Sequence, residues 1–227
     1  MLRAFIFDFD GVIVNSEPVH FSAFQRVLAE EGIHMTWEQY QASYLAMNDR
    51  DCFAVALARA GQDAGEDRLH ALVERKSDYY EAIRDQVQPV PGVQRFIRRA
   101  AERAPVALGS GGLRRDIEPI LARLGLREAF SAVVTAEDYQ LGKPDPQCFR
   151  VALAQLNDAR GTSIAPEECL VIEDSLHGIT AARGAGMRCL AIATYYPPAR
   201  LAGADRVVRT LEEVDPGDLA PLFAEGR

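Results

Sequence analysis

Apolar residues first gather at positions 4–7, Ala-Phe-Ile-Phe, and the run ends in Asp8-Phe9-Asp10-Gly11. So short a β-prone run reads as a buried strand rather than a helix. A period of two puts Asp8 and Asp10 on one face, and Gly11 lets the backbone turn away. Carboxylates at the end of a buried strand are costly to desolvate, so a cation is expected there.

Beyond Val14 the period changes. Asn15-Ser16-Glu17-Pro18 reads as a turn or helix start, and Phe21, Phe24, Val27 and Leu28 recur at helical spacing over 19–31, closed by Gly32. Thr36 and Gln39 have capping-box spacing. Asn48-Asp49-Arg50-Asp51 reads as a polar break before a helix at 52–60, and a longer helix is predicted over 69–84. No strand is predicted between Asn15 and Gln86, and Val87 to Gly92 forms a proline-marked connector, a second hinge. An all-helical block inside an α/β chain predicts an inserted domain at 16–87, with the α/β core at 1–15 and 88–227.

From position 93 helices and strands alternate. Helices are predicted at 93–103, 113–124, 147–156 and 176–185, and strands at 106–108, 132–134, 169–172 and 188–193. Val207-Val208 adds an edge strand, and the end of the chain is predicted helical. This alternation predicts a parallel sheet with right-handed crossovers. The fold class is therefore α/β, a Rossmann-like three-layer core carrying an all-helical insert.

Composition narrows the function. The net charge of −8 argues against sequence-independent nucleic-acid binding and against an acidic membrane surface. No apolar run is long enough to span a bilayer, and Asp8 and Asp10 interrupt any N-terminal signal pattern. Cys52, Cys148, Cys169 and Cys189 form no CxxC pair, which predicts reduced, buried thiols in a cytoplasmic protein.

The polar outliers fall where strands end: Asp8 and Asp10 after the first, Ser110 after 106–109, Lys143 a loop beyond 132–134, and Glu173-Asp174 after 169–172. Ligands of open parallel sheets bind at that edge. Four acids against one lysine predict a hard divalent cation held by oxygen, Mg²⁺ above all. Ser110-Gly111-Gly112 before a helix offers backbone N–H groups to an anion. Taken singly, Ser110 also fits a helix cap, Lys143 a surface lysine, and Asp174-Ser175 a cap for the next helix.

Asp8-Phe9-Asp10-Gly11-Val12, Ser110, Lys143-Pro144 and Glu173-Asp174-Ser175 together match, in order, the four motifs of the haloacid dehalogenase superfamily. The helical insert resembles the small cap of the branch that includes β-phosphoglucomutase and phosphoglycolate phosphatase. This resemblance implies Asp8 as nucleophile and Asp10 as general acid and then base. It implies a metal held by Asp8, the Asp10 carbonyl and Asp174, with Glu173 a ligand or a partner behind it. Ser110, Gly111 and Lys143 would hold the phosphoryl group. His20, Arg50 and Lys76 stand in contexts similar to those of substrate-contacting residues in the mutases, and Arg114 could add an anion contact. Trp37 is expected in the core of the insert.

The function expected is a Mg²⁺-dependent phosphatase acting through an aspartyl-phosphate on a small phosphorylated metabolite, a sugar phosphate foremost. The chain would be a monomer or weak homo-oligomer. Gly111-Gly112-Leu113-Arg114 lacks the polar residues expected of a mutase, which makes β-phosphoglucomutase the alternative. A dehalogenase fits less well because Asp10 and the acidic pair are present, and a receiver-like phospho-acceptor because those domains lack a helical insert.

Overall fold

The structure, a computed structural model, describes residues 1–45 and 47–224. The chain divides into two compact units, Met1–Asn15 with Gln88–Arg227, and Ser16–Val87.

The first unit is built on a parallel sheet. Its strands are β1 (Ala4–Phe7), β4 (Val106–Gly109), β5 (Ala132–Val134), β6 (Cys169–Glu173), β7 (Arg188–Ile192) and β8 (Arg206–Val208), in the order β5-β4-β1-β6-β7-β8. β1 lies between β4 and β6, with Phe7 opposite Leu108 on one side and Ile172 on the other. It is buried on both faces, which explains its unbroken apolar run.

Alternation along β1 assigns its faces. Ala4 and Ile6 share a core with Cys148, Phe149 and Ala152 of the helix α7 (Gln147–Arg160) and with Ile179, Ala181 and Ala182 of α8 (Leu176–Gly184). Phe5 and Phe7 point the other way. Both meet Phe96 of α5 (Val93–Ala101) edge-on, at ring separations of 6.5 and 6.0 Å. The result is a three-layer α/β/α unit of the Rossmann-like kind. One further helix, α6 (Arg114–Arg123), follows β4 and buries Ile117, Ile120 and Leu121.

Two segments differ from the sequence expectation. Val14–Asn15 (β2) pairs antiparallel with Gln88–Pro89 (β3), so the chain leaves and re-enters this unit side by side. Two residues are too few to show a strand period, and proline at a ribbon end hides the pairing. The chain end forms 3₁₀ turns at Leu211–Glu213 and Pro216–Phe223 instead of an α-helix. Pro221, inside the longer turn, has no N–H for an α-helical bond.

The second unit contains α1 (Glu17–Glu30), α2 (Trp37–Ser43), α3 (Asp49–Arg59) and α4 (Glu66–Ile83). Thr36 and Gln39 form the reciprocal capping box, with bonds of 3.3 and 2.9 Å. Residues 49–51 are not a break but the first turn of α3. Asn48 caps it by accepting the Asp51 N–H at 2.9 Å, and two acids favour the positive helix end. Phe24, Val27, Leu28, Phe53, Leu57, Leu69 and Leu72 fill the core, with Trp37 partly buried against it. None of the helices among the described residues is long and apolar enough to cross a membrane.

Candidate active site

Sheet order does most of the positioning in the first unit. Adjacent strands lie roughly 5 Å apart, so residues following β4, β1 and β6 emerge as neighbours. The Asp8 N–H still donates to the Ile172 carbonyl at 2.9 Å, continuing the ladder one residue past β1. The chain then turns. The Phe9 carbonyl accepts the Ile13 N–H at 2.7 Å, and Gly11 has φ +72°. That glycine is required for space as well as conformation. A Cβ there would stand 2.0 Å from Oδ2 of Asp174.

Lys143 is the centre of the charge arrangement. The residues after β5 make a 3₁₀ turn at Ala136–Asp138, and beyond it the Lys143 ammonium, its side chain mostly covered, reaches Asp8 Oδ1 at 2.7 Å and Glu173 Oε1 at 2.8 Å. It also lies 4.5 Å from the centre of the Phe149 ring. Burial lowers the lysine pKa, but Asp8 and Glu173 more than offset this and hold it well above its usual value. Burial pushes the Asp8 carboxyl up to about 7 against the pull of Lys143, with Glu173 and Asp10 adding repulsion. Asp10 itself is half-buried.

Glu173 is fully buried and tied on both oxygens. Oε1 takes the Lys143 bond, while Oε2 accepts from the N–H groups of Asp174 and Ser175 at 2.7 and 2.8 Å and the Ser175 hydroxyl at 3.0 Å. Ser175 in turn caps α8, accepting the Gly178 N–H at 3.0 Å. The carboxylate lies against Gly178, where a Cβ would fall 1.7 Å from Oε1. With Glu173 held on four bonds it cannot swing aside. Gly178→Ala is therefore expected to lose roughly 3 kcal/mol or more. Urea denaturation measures this, and wild-type stability in that variant would show that Glu173 has a second way to pack.

Carboxylate oxygens of Asp8, Glu173 and Asp174 lie within 4.8 Å of one another. These acids outnumber the single ammonium, and oxygen donors suit a hard divalent cation. The donor set thus fits a metal of the Mg²⁺ type. Glu173 is held by the protein on both oxygens, whereas the Lys143 bond engages Oδ1 of Asp8.

Ser110 is completely buried and starts a turn rather than a helix. Its hydroxyl accepts the Gly112 N–H at 3.0 Å, which leaves its proton to donate. The N-terminus of α6, expected to favour a phosphate, instead receives a carboxylate of the protein. Glu137 accepts the Arg114 N–H at 3.1 Å, and its pKa is lowered chiefly by hydrogen bonding with Thr135, opposed by desolvation and aided by the Arg114 N–H. The Arg114 N–H is thereby taken from any anion at the 110–112 turn. The Arg114 guanidinium faces away from that role, bonded to Asp138 at 2.6 Å and the Val133 carbonyl at 3.2 Å. The sequence already carried a clue, since Thr135 and Asp138 have capping-box spacing and hold the turn that presents Glu137.

The other candidates lie in the helical unit. Lys76 is buried, 3.0 Å from both oxygens of Asp49 and 2.9 Å from Nδ1 of His20. His20 stacks on Tyr80 at 4.3 Å. Burial, then the Lys76 charge, holds its pKa well below the usual value, so Nδ1 accepts from the ammonium. Arg50 is half-exposed and paired with Glu66 and, at 3.5 Å, with Asp51. Asp49 carries no distinct signal in the sequence, because residues 48–51 read as a polar break.

Comparison with known proteins identifies the scaffold. The haloacid dehalogenase-like hydrolase family model matches residues 2–186. The chain belongs to this family. It is 35% identical over 187 residues to a fructose-1-phosphate phosphatase of Escherichia coli (strain K12), covering 80% of this chain and 92% of that one. A β-phosphoglucomutase of Bacillus subtilis (strain 168) is 26% identical over 217 residues, covering 94% and 92%. The crystal structure of CbbY from Rhodobacter sphaeroides in complex with phosphate superposes with a TM-score of 0.79 at 25% identity, covering 97% of this chain and all of that one. This haloacid dehalogenase-like hydrolase is a phosphoric monoester hydrolase, and sugar-phosphate phosphatases are among its relatives.

Proposed function

We propose that the protein is a Mg²⁺-dependent phosphatase of small sugar phosphates that works through an aspartyl-phosphate on Asp8. The observation that carries this reading is the Lys143 ammonium held between Asp8 and Glu173 beside the Asp174 carboxylate. A carboxylate nucleophile needs a cation to bring it up to an anionic phosphate, and Lys143 is fixed where it does so.

In the first half-reaction an Asp8 oxygen attacks phosphorus as the bond to the substrate oxygen breaks. Asp10 gives its proton to that leaving oxygen. In the second, Asp10 takes a proton from water, which attacks phosphorus and releases phosphate, restoring the Asp8 carboxylate. The Ser110 hydroxyl and the Gly111 N–H bind phosphoryl oxygens. Asp8, Asp174 and the Asp10 carbonyl would hold the metal, with Glu173 fixing Lys143 and the loop behind. When bound, the cation neutralises charge on the transferring group and helps keep Asp8 ionised.

The helical unit would act as the cap that selects the alcohol, with His20 and Lys76 as its polar contacts. Arg114 is left out of the substrate site because Asp138 and the Val133 carbonyl hold its guanidinium, and the more exposed Arg50 stays a candidate contact beside His20 and Lys76. Hydrolysis is favoured over β-phosphoglucomutase activity by the phosphatase relative at higher identity and by the apolar Gly111-Gly112-Leu113 turn.

A phosphate-release screen over hexose and pentose monophosphates, phosphoglycolate and nucleotides tests this. Activity is expected on sugar monophosphates, lost with EDTA and restored by Mg²⁺. Interconversion of glucose phosphates under a bisphosphate primer, with almost no free phosphate, would overturn hydrolysis in favour of isomerisation.

A further inference from the structure

The phenol of Tyr139 has no part in the chemistry above, yet it is built into the phosphate loop. Its hydroxyl donates to the Ser110 carbonyl at 3.1 Å. The buried Cys148 side chain of α7 lies close to the same phenol. Gly111 packs beneath the ring end, where a Cβ would lie 3.7 Å from the Tyr139 oxygen.

A trans peptide is planar, with its carbonyl and its N–H on opposite sides. Whatever holds the Ser110 carbonyl therefore sets the direction of the Gly111 N–H. Among the described residues no group accepts that N–H. Both ends of the turn are tied: the Ser110 N–H to the Val134 carbonyl at 3.0 Å, and the Gly112 carbonyl to the Ala136 N–H at 3.0 Å.

We propose that Tyr139 is a positioning residue for phosphoryl transfer: its hydroxyl fixes the Ser110–Gly111 peptide and so aims the Gly111 N–H at the transferring group. The role rests on the phosphate-binding function given above to Ser110 and Gly111. A donor fixed in advance acts mainly on the transition state, because it need not reorient as charge shifts. Tyrosine is the residue needed, since phenylalanine fills the same space but leaves the peptide free to tilt.

Tyr139→Phe in the full chain tests the proposal. Fixed donors of this type are worth a large rate factor, and loosening one is expected to lower kcat roughly tenfold with KM changed less than about twofold. Vanadate, which can become five-coordinate, should bind more weakly by a similar factor with Mg²⁺ present. Inorganic phosphate should be affected much less. Loss of one hydrogen bond lowers Tm by about 2–4 °C, and by itself moves neither the kcat-to-KM split nor the vanadate-to-phosphate ratio. Wild-type kcat and an unchanged ratio would overturn the positioning role, as would equal weakening of vanadate and phosphate. Binding is read by calorimetry, so the ratio is obtained whatever the turnover. A wild-type protein that releases no phosphate from any monoester would instead sink the phosphatase reading.

Discussion

Asp8→Asn is expected to abolish turnover while leaving the fold intact. The amide is nearly the size of the carboxylate but has no anionic oxygen to attack phosphorus. Removing a nucleophile commonly lowers kcat by roughly 10⁴-fold or more. Stability should hold or improve. Burial already opposes ionisation of Asp8, whose carboxyl sits at about 7, and an Asn oxygen can still accept from the Lys143 ammonium now 2.7 Å away. The repulsion between Asp8 and its acidic neighbours, Glu173 and Asp10, disappears as well. Initial rates of phosphate release, with circular dichroism and thermal melts on the same preparation, make the comparison. An acid-quenched wild-type reaction should carry a phosphoryl group on the peptide containing Asp8, and the variant should carry none. A well-folded Asp8→Asn protein within about tenfold of wild-type activity would falsify the nucleophile assignment.

Much of this arrangement was legible beforehand because strong local signals and topology agree. The run 4–7 is apolar throughout because β1 is central in the sheet and covered on both faces. The acids, the serine and the lysine stood out as polar residues where such strands end. What stayed hidden depends on partners distant in sequence. Nothing near Lys143 shows that its side chain is mostly covered, since this follows from Asp8, Glu173 and Phe149 meeting it there. Glu137 and Tyr139 act on a helix start and a turn more than 20 residues earlier. Thr194, whose hydroxyl donates to the Gly11 carbonyl at 2.7 Å, comes from the far end of the chain, after β7. Helix ends were harder to place than helices, as α3 shows: a cluster of polar residues is common to loops and to well-capped first turns.

Lys143→Met should remove activity and also weaken the fold, unlike Asp8→Asn. Methionine matches the length of the lysine stem and can still lie against Phe149, so packing changes little. The charge balance changes a great deal. Asp8 and Glu173 lose the cation that joins them at 2.7 and 2.8 Å, and Glu173 is completely buried. Glu173 cannot turn to water, because its other oxygen is fixed by the Asp174 and Ser175 N–H groups and the Ser175 hydroxyl. Removing one partner of a buried pair typically costs about 3–5 kcal/mol, since the remaining charge stays desolvated. Urea denaturation without metal should show a loss of that size. Adding Glu173→Gln should restore part of it, because an amide can accept the same N–H bonds without a charge that needs Lys143. Phosphate release should stay lost in both proteins, since neither presents a cation to Asp8 and the phosphoryl group. If the single variant is as stable as wild type, the lysine is not balancing those carboxylates in solution. If the double variant regains turnover, Lys143 acts only on stability, and its catalytic role fails.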